Sequence, residues 1–161
     1  MKNIEVGKGN VGAFKPRKGL KEFLYALKTR SLKIGLVTSD LEYKAVPEIL
    51  STFRVPEMGN PLEFYDGIIT CGSQKTDGQY GTIGEMEAKA HPWLYAELAI
   101  GMGITDKSQA VVVEDSSAGV LSGMLADFPV IGFSDGNILS SYFETLCCNV
   151  VNSFDEITEL L

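Results

Sequence analysis

Apolar residues recur along the chain in two alternating patterns. Four of them, spaced at i, i+3, i+4 and i+7, predict an amphipathic helix over residues 17–30: Leu20, Phe23, Leu24 and Leu27. The run LKIGLVT that follows is short and continuously apolar, which is typical of a strand buried on both faces of a parallel sheet. A second helix is predicted from Ala45 to Phe53, with Pro47 in its first turn, because a proline further inside would remove a helical hydrogen bond.

The alternation of strand and helix continues to the end of the chain. It gives, in order, strand YDGIITCG, helix HPWLYAELAIGMGI, strand QAVVVED, helix SAGVLSGMLA, strand FPVIGF, helix ILSSYFETL, strand CNVV and helix SFDEITELL. Such an order predicts the α/β class, with a Rossmann-like parallel sheet and helices on both faces. We expect one core domain over residues 15–161 and an irregular N-terminal segment over residues 1–14.

Composition limits the class of protein. The 161 residues carry a net charge of −7, which argues against a surface for nucleic acid or for an anionic membrane. No apolar run approaches the roughly 20 residues of a membrane span, and the first residues lack the apolar region of a signal peptide. Cys71 and the adjacent pair Cys147–Cys148 form no disulfide framework, so we expect reduced, mostly buried thiols in a cytoplasmic protein.

Two glycine-rich stretches carry weaker signals. Gly7, Gly9 and Gly12 match the G-x-G-x-x-G pattern of dinucleotide-binding proteins, but Pro16 stands where the helix of that motif would run. An entry loop is the better interpretation of these glycines. The polar stretch over residues 72–84 predicts a loop or a hairpin flap, which either contacts substrate or is simply solvated.

Three polar sites fall where this topology would bring them together. Thr38 and Ser39 close one strand, Lys89 stands just ahead of a helix, and Glu114 and Asp115 end another strand. Functional groups gather at the carboxyl ends of parallel strands. Hydroxyl groups and amides beside a helix N-terminus suit a phosphate, and adjacent carboxylates suit a divalent cation.

Each of these sites, taken alone, also has a structural explanation. Thr38, Ser39 or Asp40 can cap the helix that follows, and the acid pair can do the same for the next helix. Lys89 can be a solvated charge in a loop. The combination of hydroxyl, lysine and acid pair, in that order and at those positions, distinguishes the functional interpretation from the structural one.

Three segments resemble the second, third and fourth motifs of the haloacid dehalogenase-like hydrolases, in the branch that contains phosphoglycolate phosphatase and β-phosphoglucomutase. They are KPRKGLKEFLYALKTRSLKIGLVTSD, KAHPWLYAELAIGMGI and AVVVEDSSAGVLSGMLADFPVIGF. The third motif departs from the family's Lys-Pro-x-Pro, because Ala90 replaces the first proline after Lys89. The resemblance implies the core fold of that family without its cap domain.

The resemblance also implies roles for the site residues. Thr38 would hydrogen-bond the phosphoryl group beside the Ser39 amide, and Lys89 would neutralise charge between the phosphate and the nucleophile. Asp115, with Glu114 bound directly or through water, would hold Mg²⁺. The implied function is Mg²⁺-dependent phosphoryl transfer on a small phosphorylated metabolite, as in a phosphatase or phosphomutase. His91 would be a residue of the rim.

The family's nucleophile motif, Asp-x-Asp at the end of the first strand, does not occur in this sequence. Glu5 is the only acid before Lys15, and the first aspartate is Asp40, which would lie on the phosphate-binding strand. We therefore expect this chain by itself to be inactive. The alternative is a non-catalytic relative that binds phosphate, a metal ion or a protein partner.

The strand that carries the nucleophile is central in the family, between the strands of the second and fourth motifs. Its loss should either bring KIGLVT beside AVVVE or leave a gap between them. Residues such as KNIEV, or a strand from another chain, could fill that gap. Because an open gap exposes backbone groups and apolar surface, we expect a homodimer, a repaired sheet or a missing N-terminal part supplied in trans.

Overall fold

The computed structural model describes residues 16–52, 59–71, 89–134 and 141–161, which form an α/β fold. Its helices are α1 (Leu20–Thr29), α2 (Glu42–Thr52), α3 (Pro61–Phe64), α4 (Trp93–Gly101), α5 (Ser117–Leu125), α6 (Ser141–Glu144) and α7 (Phe154–Leu160). Its strands are β1 (Gly35–Leu41), β2 (Gly67–Cys71), β3 (Val112–Glu114), β4 (Val130–Phe133) and β5 (Asn149–Val151). Strands and helices alternate as the sequence predicts, except that the short helix α3, which was not predicted, follows α2 before β2.

Every strand pairing among these residues is parallel, but the strands form two sheets. One sheet pairs β1 with β2, and the other has the order β3-β4-β5. Within the described part of the chain, β1 and β3 are not hydrogen-bonded to each other. Of the two arrangements expected, this is the one in which KIGLVT does not lie beside AVVVE. The N-terminal residues, including KNIEV and the three glycines of the G-x-G-x-x-G match, lie outside the described residues, as does the predicted flap.

Helix α1 joins the two sheets on one face. Its Phe23 packs in the core of the three-stranded sheet, and Leu24 packs in the core of the two-stranded sheet. Leu20 and Leu27 contact both of these cores. Since the two sheets share one helix, burial of its apolar stripe holds them together, although β1 and β3 are not hydrogen-bonded to each other in the described residues.

Helix α4 joins the sheets on the opposite face. Its Tyr95 packs in a core with Val112 of β3, and Val37 of β1 packs against the same cluster. Val130 belongs to this core, whereas its neighbour Ile131 belongs to the core under α1. Successive residues of a strand point to opposite faces, so α1 and α4 enclose the sheets from two sides.

The approach of α4 to the two-stranded sheet depends on two paired glycines. Gly35 and Gly67 face each other in the register of β1 and β2. A Cβ at Gly35 would lie 2.6 Å from Leu98, and one at Gly67 would lie 2.7 Å from the same side chain. Both distances are far below van der Waals contact, so a larger residue at either position would require Leu98 and Met102 to shift.

Two details differ from the sequence-based expectation. Helix α2 begins at Glu42, so Pro47 lies in its second turn rather than its first. The helix tolerates the lost hydrogen bond because Ala45 and Ile49 anchor it in the core. Cys148 is exposed, although Cys71 is buried and Cys147 is half-buried, because Cys148 lies at the surface just before β5. Among the described residues, no helix is long and apolar enough to cross a membrane.

Asp66 ties the end of α1 to the starts of β1 and β2. Its Oδ2 accepts hydrogen bonds from Lys28 Nζ at 2.8 Å and from the Ile34 amide at 2.7 Å. The hydrogen bond from Lys28, more than any other contact, holds the pKa of Asp66 below its ordinary value of 3.8. A carboxylate whose pKa is lowered in the folded state stabilises the fold at pH values above its pKa in the unfolded state. That stabilisation is lost as the pH falls through its pKa in the folded state.

We therefore expect Asp66→Asn to lower the free energy of unfolding at pH 7 and to lose this effect progressively below about pH 4. Urea unfolding of both proteins between pH 7 and pH 2.5 measures the difference. Asp127→Asn, at an exposed aspartate away from this contact, is the control. A difference between wild type and Asp66→Asn that stayed constant down to pH 2.5 would contradict the assignment.

Candidate functional site

The carboxyl end of β1 carries two of the predicted site residues, Thr38 and Ser39. Thr38 pairs with Thr70 of β2, and the next pair along the strands is Leu41 with Cys71. Ser39 and Asp40 have no partner in this register, so β1 bulges at these two residues. The Asp40 amide donates to Thr38 Oγ1 at 3.1 Å. The bulge turns the Ser39 and Asp40 backbone out of the sheet ladder, which is a common way to aim groups at a strand end.

Lys89 connects the ends of the two sheets. Its backbone N–H donates to Ser39 Oγ of β1 at 3.2 Å, and its Nζ forms an ion pair with Glu114 Oε1 of β3. The lysine side chain is only 16% exposed and the glutamate side chain only 6% exposed. The predicted residues of all three sites therefore meet at one edge of the fold, and the cation among them is held in a fixed place.

The carboxylate of Glu114 lies in a closely fitted position. Its Oε1 accepts from Lys89 and from the hydroxyl of Tyr95, and its Oε2 accepts from Ser116 Oγ at 3.2 Å. Ser116 also caps α5 by accepting from the Gly119 amide at 3.1 Å. A Cβ at Gly119 would lie 2.0 Å from the Glu114 carboxylate, so glycine leaves the space that this carboxylate fills.

Tyr95 remains protonated in this environment. Burial of the phenol raises the pKa of Tyr95 far above its ordinary value, and the negative charge of Glu114 raises it further. A protonated phenol is a hydrogen-bond donor, and the acceptor here is a carboxylate. Tyr95 therefore adds a second donor to the oxygen that already receives Lys89.

Asp115 points to a different partner from its neighbour Glu114. Its Oδ2 forms an ion pair with Arg17 Nη2 at 2.7 Å, and the Arg17 guanidinium also lies over the ring of Phe133, 5.1 Å from the ring centre. The Asp115 side chain is 37% exposed. Of the two adjacent acids, Asp115 is thus the accessible one and Glu114 the buried one.

The family of the chain follows from its sequence match together with this strand-end site. A family model for haloacid dehalogenase-like hydrolases matches residues 7–127. The chain belongs to the haloacid dehalogenase-like hydrolase family. No curated protein sequence matches the chain significantly.

Several solved structures share the fold. A hydrolase from Pseudomonas syringae matches with a TM-score of 0.68 and 17% identity over 91% of this chain and 59% of its own. A haloacid dehalogenase family hydrolase from Deinococcus radiodurans with bound phosphate and sodium matches with a TM-score of 0.65 and 20% identity over 89% of this chain and 57% of its own. β-Phosphoglucomutase from Clostridium difficile matches with a TM-score of 0.62 and 19% identity over 95% of this chain and 56% of its own. This chain thus spans less than two thirds of each of these relatives.

The two adjacent acids differ in their fit to Mg²⁺. Mg²⁺ takes oxygen ligands and is usually held by one or two carboxylates together with water and substrate phosphate. Asp115, whose Oδ2 is paired with Arg17, is an accessible carboxylate at a strand end, whereas Glu114 is buried and both of its oxygens accept hydrogen bonds. Among the described residues, no three side chains of His, Cys, Asp or Glu form a metal-binding cluster. Metal binding by either acid stays a prediction, and the geometry favours Asp115.

Two residues of the site were not expected from the sequence. Tyr95 lies in the first turn of α4 six residues after Lys89, and its aromatic character alone indicated only a core position. Arg17 lies 98 residues from its partner Asp115, and no local pattern links them. His91, expected at the rim, is exposed; its Nδ1 accepts from the Trp93 amide at 3.2 Å, and its carbonyl accepts from Ser122 at 2.6 Å.

Proposed function

We propose that this chain is the phosphate-binding core of a Mg²⁺-dependent phosphoryl-transfer enzyme that acts on a small phosphorylated metabolite. The observation that carries the proposal is the position of Lys89, which contacts Ser39 of one sheet and Glu114 of the other. A lysine fixed between two strand ends supplies positive charge where the topology gathers functional groups. The match to a hydrolase family supports the same class of chemistry.

Each residue has a part in this proposal. Lys89 attracts the phosphoryl oxygens and lowers the charge repulsion that a nucleophile would meet. The hydroxyl of Thr38 and the turned-out backbone at Ser39 donate hydrogen bonds to the same oxygens. Mg²⁺, held by Asp115, would neutralise further charge on the phosphoryl group. Phosphoryl transfer depends mainly on such positioning and charge neutralisation.

The attacking group is not assigned to a residue of this chain. The sequence contains no Asp-x-Asp motif. Asp40 lies on the bulge of β1, and both Glu114 and Asp115 are engaged with cationic side chains. We therefore propose that the described residues bind the phosphoryl group and the metal, and that the nucleophile comes from a segment outside them or from a partner chain. A homodimer, or a strand supplied in trans, would satisfy this requirement.

Binding is the direct test of the proposal. Titration calorimetry with inorganic phosphate should show Mg²⁺-dependent binding to the wild-type chain. Asp115→Asn should weaken Mg²⁺ binding at least tenfold, about 1.4 kcal/mol, because it removes the charged ligand. Asp127→Asn, at an exposed aspartate on the turn after α5, is the control and should leave both affinities unchanged. Absence of phosphate binding to the wild type, with and without Mg²⁺, would overturn the proposal.

Hydrolysis of an aryl phosphate separates the binding core from a complete enzyme. We expect no turnover by the wild-type chain alone, with phosphate binding retained. Mg²⁺-dependent turnover that Asp115→Ala abolishes would mean that the chain carries its own nucleophile, with Asp40 and Glu5 as the first residues to test. Phosphate and Mg²⁺ binding without turnover, even when partner segments are supplied, would favour the alternative of a non-catalytic phosphate- and metal-binding relative.

A further inference from the structure

Tyr95 occupies a position that its role in the core does not explain. Its ring packs in the cluster under α4, yet its hydroxyl reaches the carboxylate of Glu114 and its ring lies 5.7 Å from Lys89 Nζ. A phenylalanine would fill the same apolar space without needing an acceptor. The hydroxyl is therefore placed to act on the Glu114–Lys89 pair.

The contacts of Glu114 show what the hydroxyl does. Rotation of the carboxylate toward the accessible side of β3, where Asp115 lies, would break the hydrogen bonds from Tyr95 and from Ser116. Hydrogen bonds to a charged acceptor are stronger than those between neutral groups, so two donors on opposite oxygens fix its orientation. A fixed carboxylate in turn holds Lys89, because the lysine bonds to the same Oε1 as Tyr95.

We propose that Tyr95 is a positioning residue that holds Glu114 as the counter-ion of Lys89 and thereby fixes the lysine for phosphate. This inference rests on the proposed function, because the proposed function supplies the phosphate ligand; its geometry rests on the contacts described above. In it Glu114 is the counter-ion of Lys89, and Asp115 is the residue that would bind the metal. Tyr95 would thus affect phosphate binding through Lys89 without touching phosphate.

The first test needs no ligand and therefore does not depend on the proposed function. The rate at which an acylating reagent modifies Lys89 is measured by mass spectrometry in the wild type, in Tyr95→Phe and in Tyr65→Phe. Tyr65 is a matched control, because it is as buried as Tyr95, at 8% exposure, but lies in the core under α1. We expect Tyr95→Phe to accelerate modification of Lys89 about fivefold and Tyr65→Phe to leave it unchanged. An equal rate in all three folded proteins would overturn the inference.

The second test measures whether Tyr95 acts through the lysine. Tyr95→Phe should weaken inorganic phosphate binding about fivefold and leave Mg²⁺ affinity within twofold of the wild type. In the Lys89→Met/Glu114→Gln background, where no unpaired charge is buried, adding Tyr95→Phe should cause no further loss of phosphate affinity, since residues that act as a unit are not additive. Additive losses, or equal losses of phosphate and Mg²⁺ affinity, would show a merely structural role. If the wild type binds no phosphate but the labelling result holds, the proposed function fails and the positioning contact stands.

Discussion

Gly119→Ala is expected to destabilise the protein by about 3 kcal/mol or more, because its methyl group would occupy the position of the Glu114 carboxylate. The added Cβ would lie 2.0 Å from both Cδ and Oε2 of that residue. Glu114 cannot move aside without breaking its ion pair with Lys89 and its hydrogen bond from Tyr95. A single added methyl group at Gly119 therefore disrupts the buried contacts of Glu114 with Lys89 and Tyr95.

Gly101→Ala is the control for this effect. Gly101 is also a helical residue, and nothing lies within 4 Å of the Cβ it would gain. Alanine there is expected to be neutral or to stabilise the protein by up to about 1 kcal/mol, through helix propensity alone. Urea unfolding of the two variants measures both values. A Gly119→Ala protein as stable as Gly101→Ala would show that Glu114 does not lie against α5.

Much of the fold could be predicted from periodicity, because the signals are local. The spacing of apolar residues in α1 and the capping box at Ser153, which accepts from the Glu156 amide at 3.3 Å, each depend on residues a few positions apart. The division into two sheets depends on which strands pair across more than 70 residues, and the sequence pattern alone left two arrangements open. Pro47 shows the same limit, because core packing of α2 overrides a local rule.

The residues of the candidate site could be predicted to lie together, but their contacts could not. Strand ends and the family motifs mark Thr38, Ser39, Lys89 and the acid pair. The different partners of Glu114 and Asp115 could not be predicted, since adjacent acids look equivalent in a sequence and differ only in burial and contacts. Tyr95 and Arg17 reach the site through tertiary packing, so no local pattern indicates their part in it.

Removing the cation of the buried Lys89–Glu114 ion pair is the other change expected to have a large effect. Lys89→Met is expected to cost about 3–5 kcal/mol of unfolding free energy, because it leaves the Glu114 carboxylate buried without its cation. The same substitution should weaken phosphate binding at least tenfold, because it removes the charge proposed to hold the phosphoryl group. With this variant alone, weaker phosphate binding could result either from loss of the fold or from loss of the lysine charge.

The double variant Lys89→Met/Glu114→Gln separates the two effects. A glutamine can accept the hydrogen bond from Tyr95 and donate to Ser116, whose oxygen has a second lone pair beside the one used by the Gly119 amide. No buried charge remains, so we expect most of the stability to return, to within about 1–2 kcal/mol of the wild type. Phosphate binding should stay as weak as in Lys89→Met. Recovery of phosphate affinity together with stability would mean that Lys89 is a structural cation and that phosphate, if it binds, is held elsewhere.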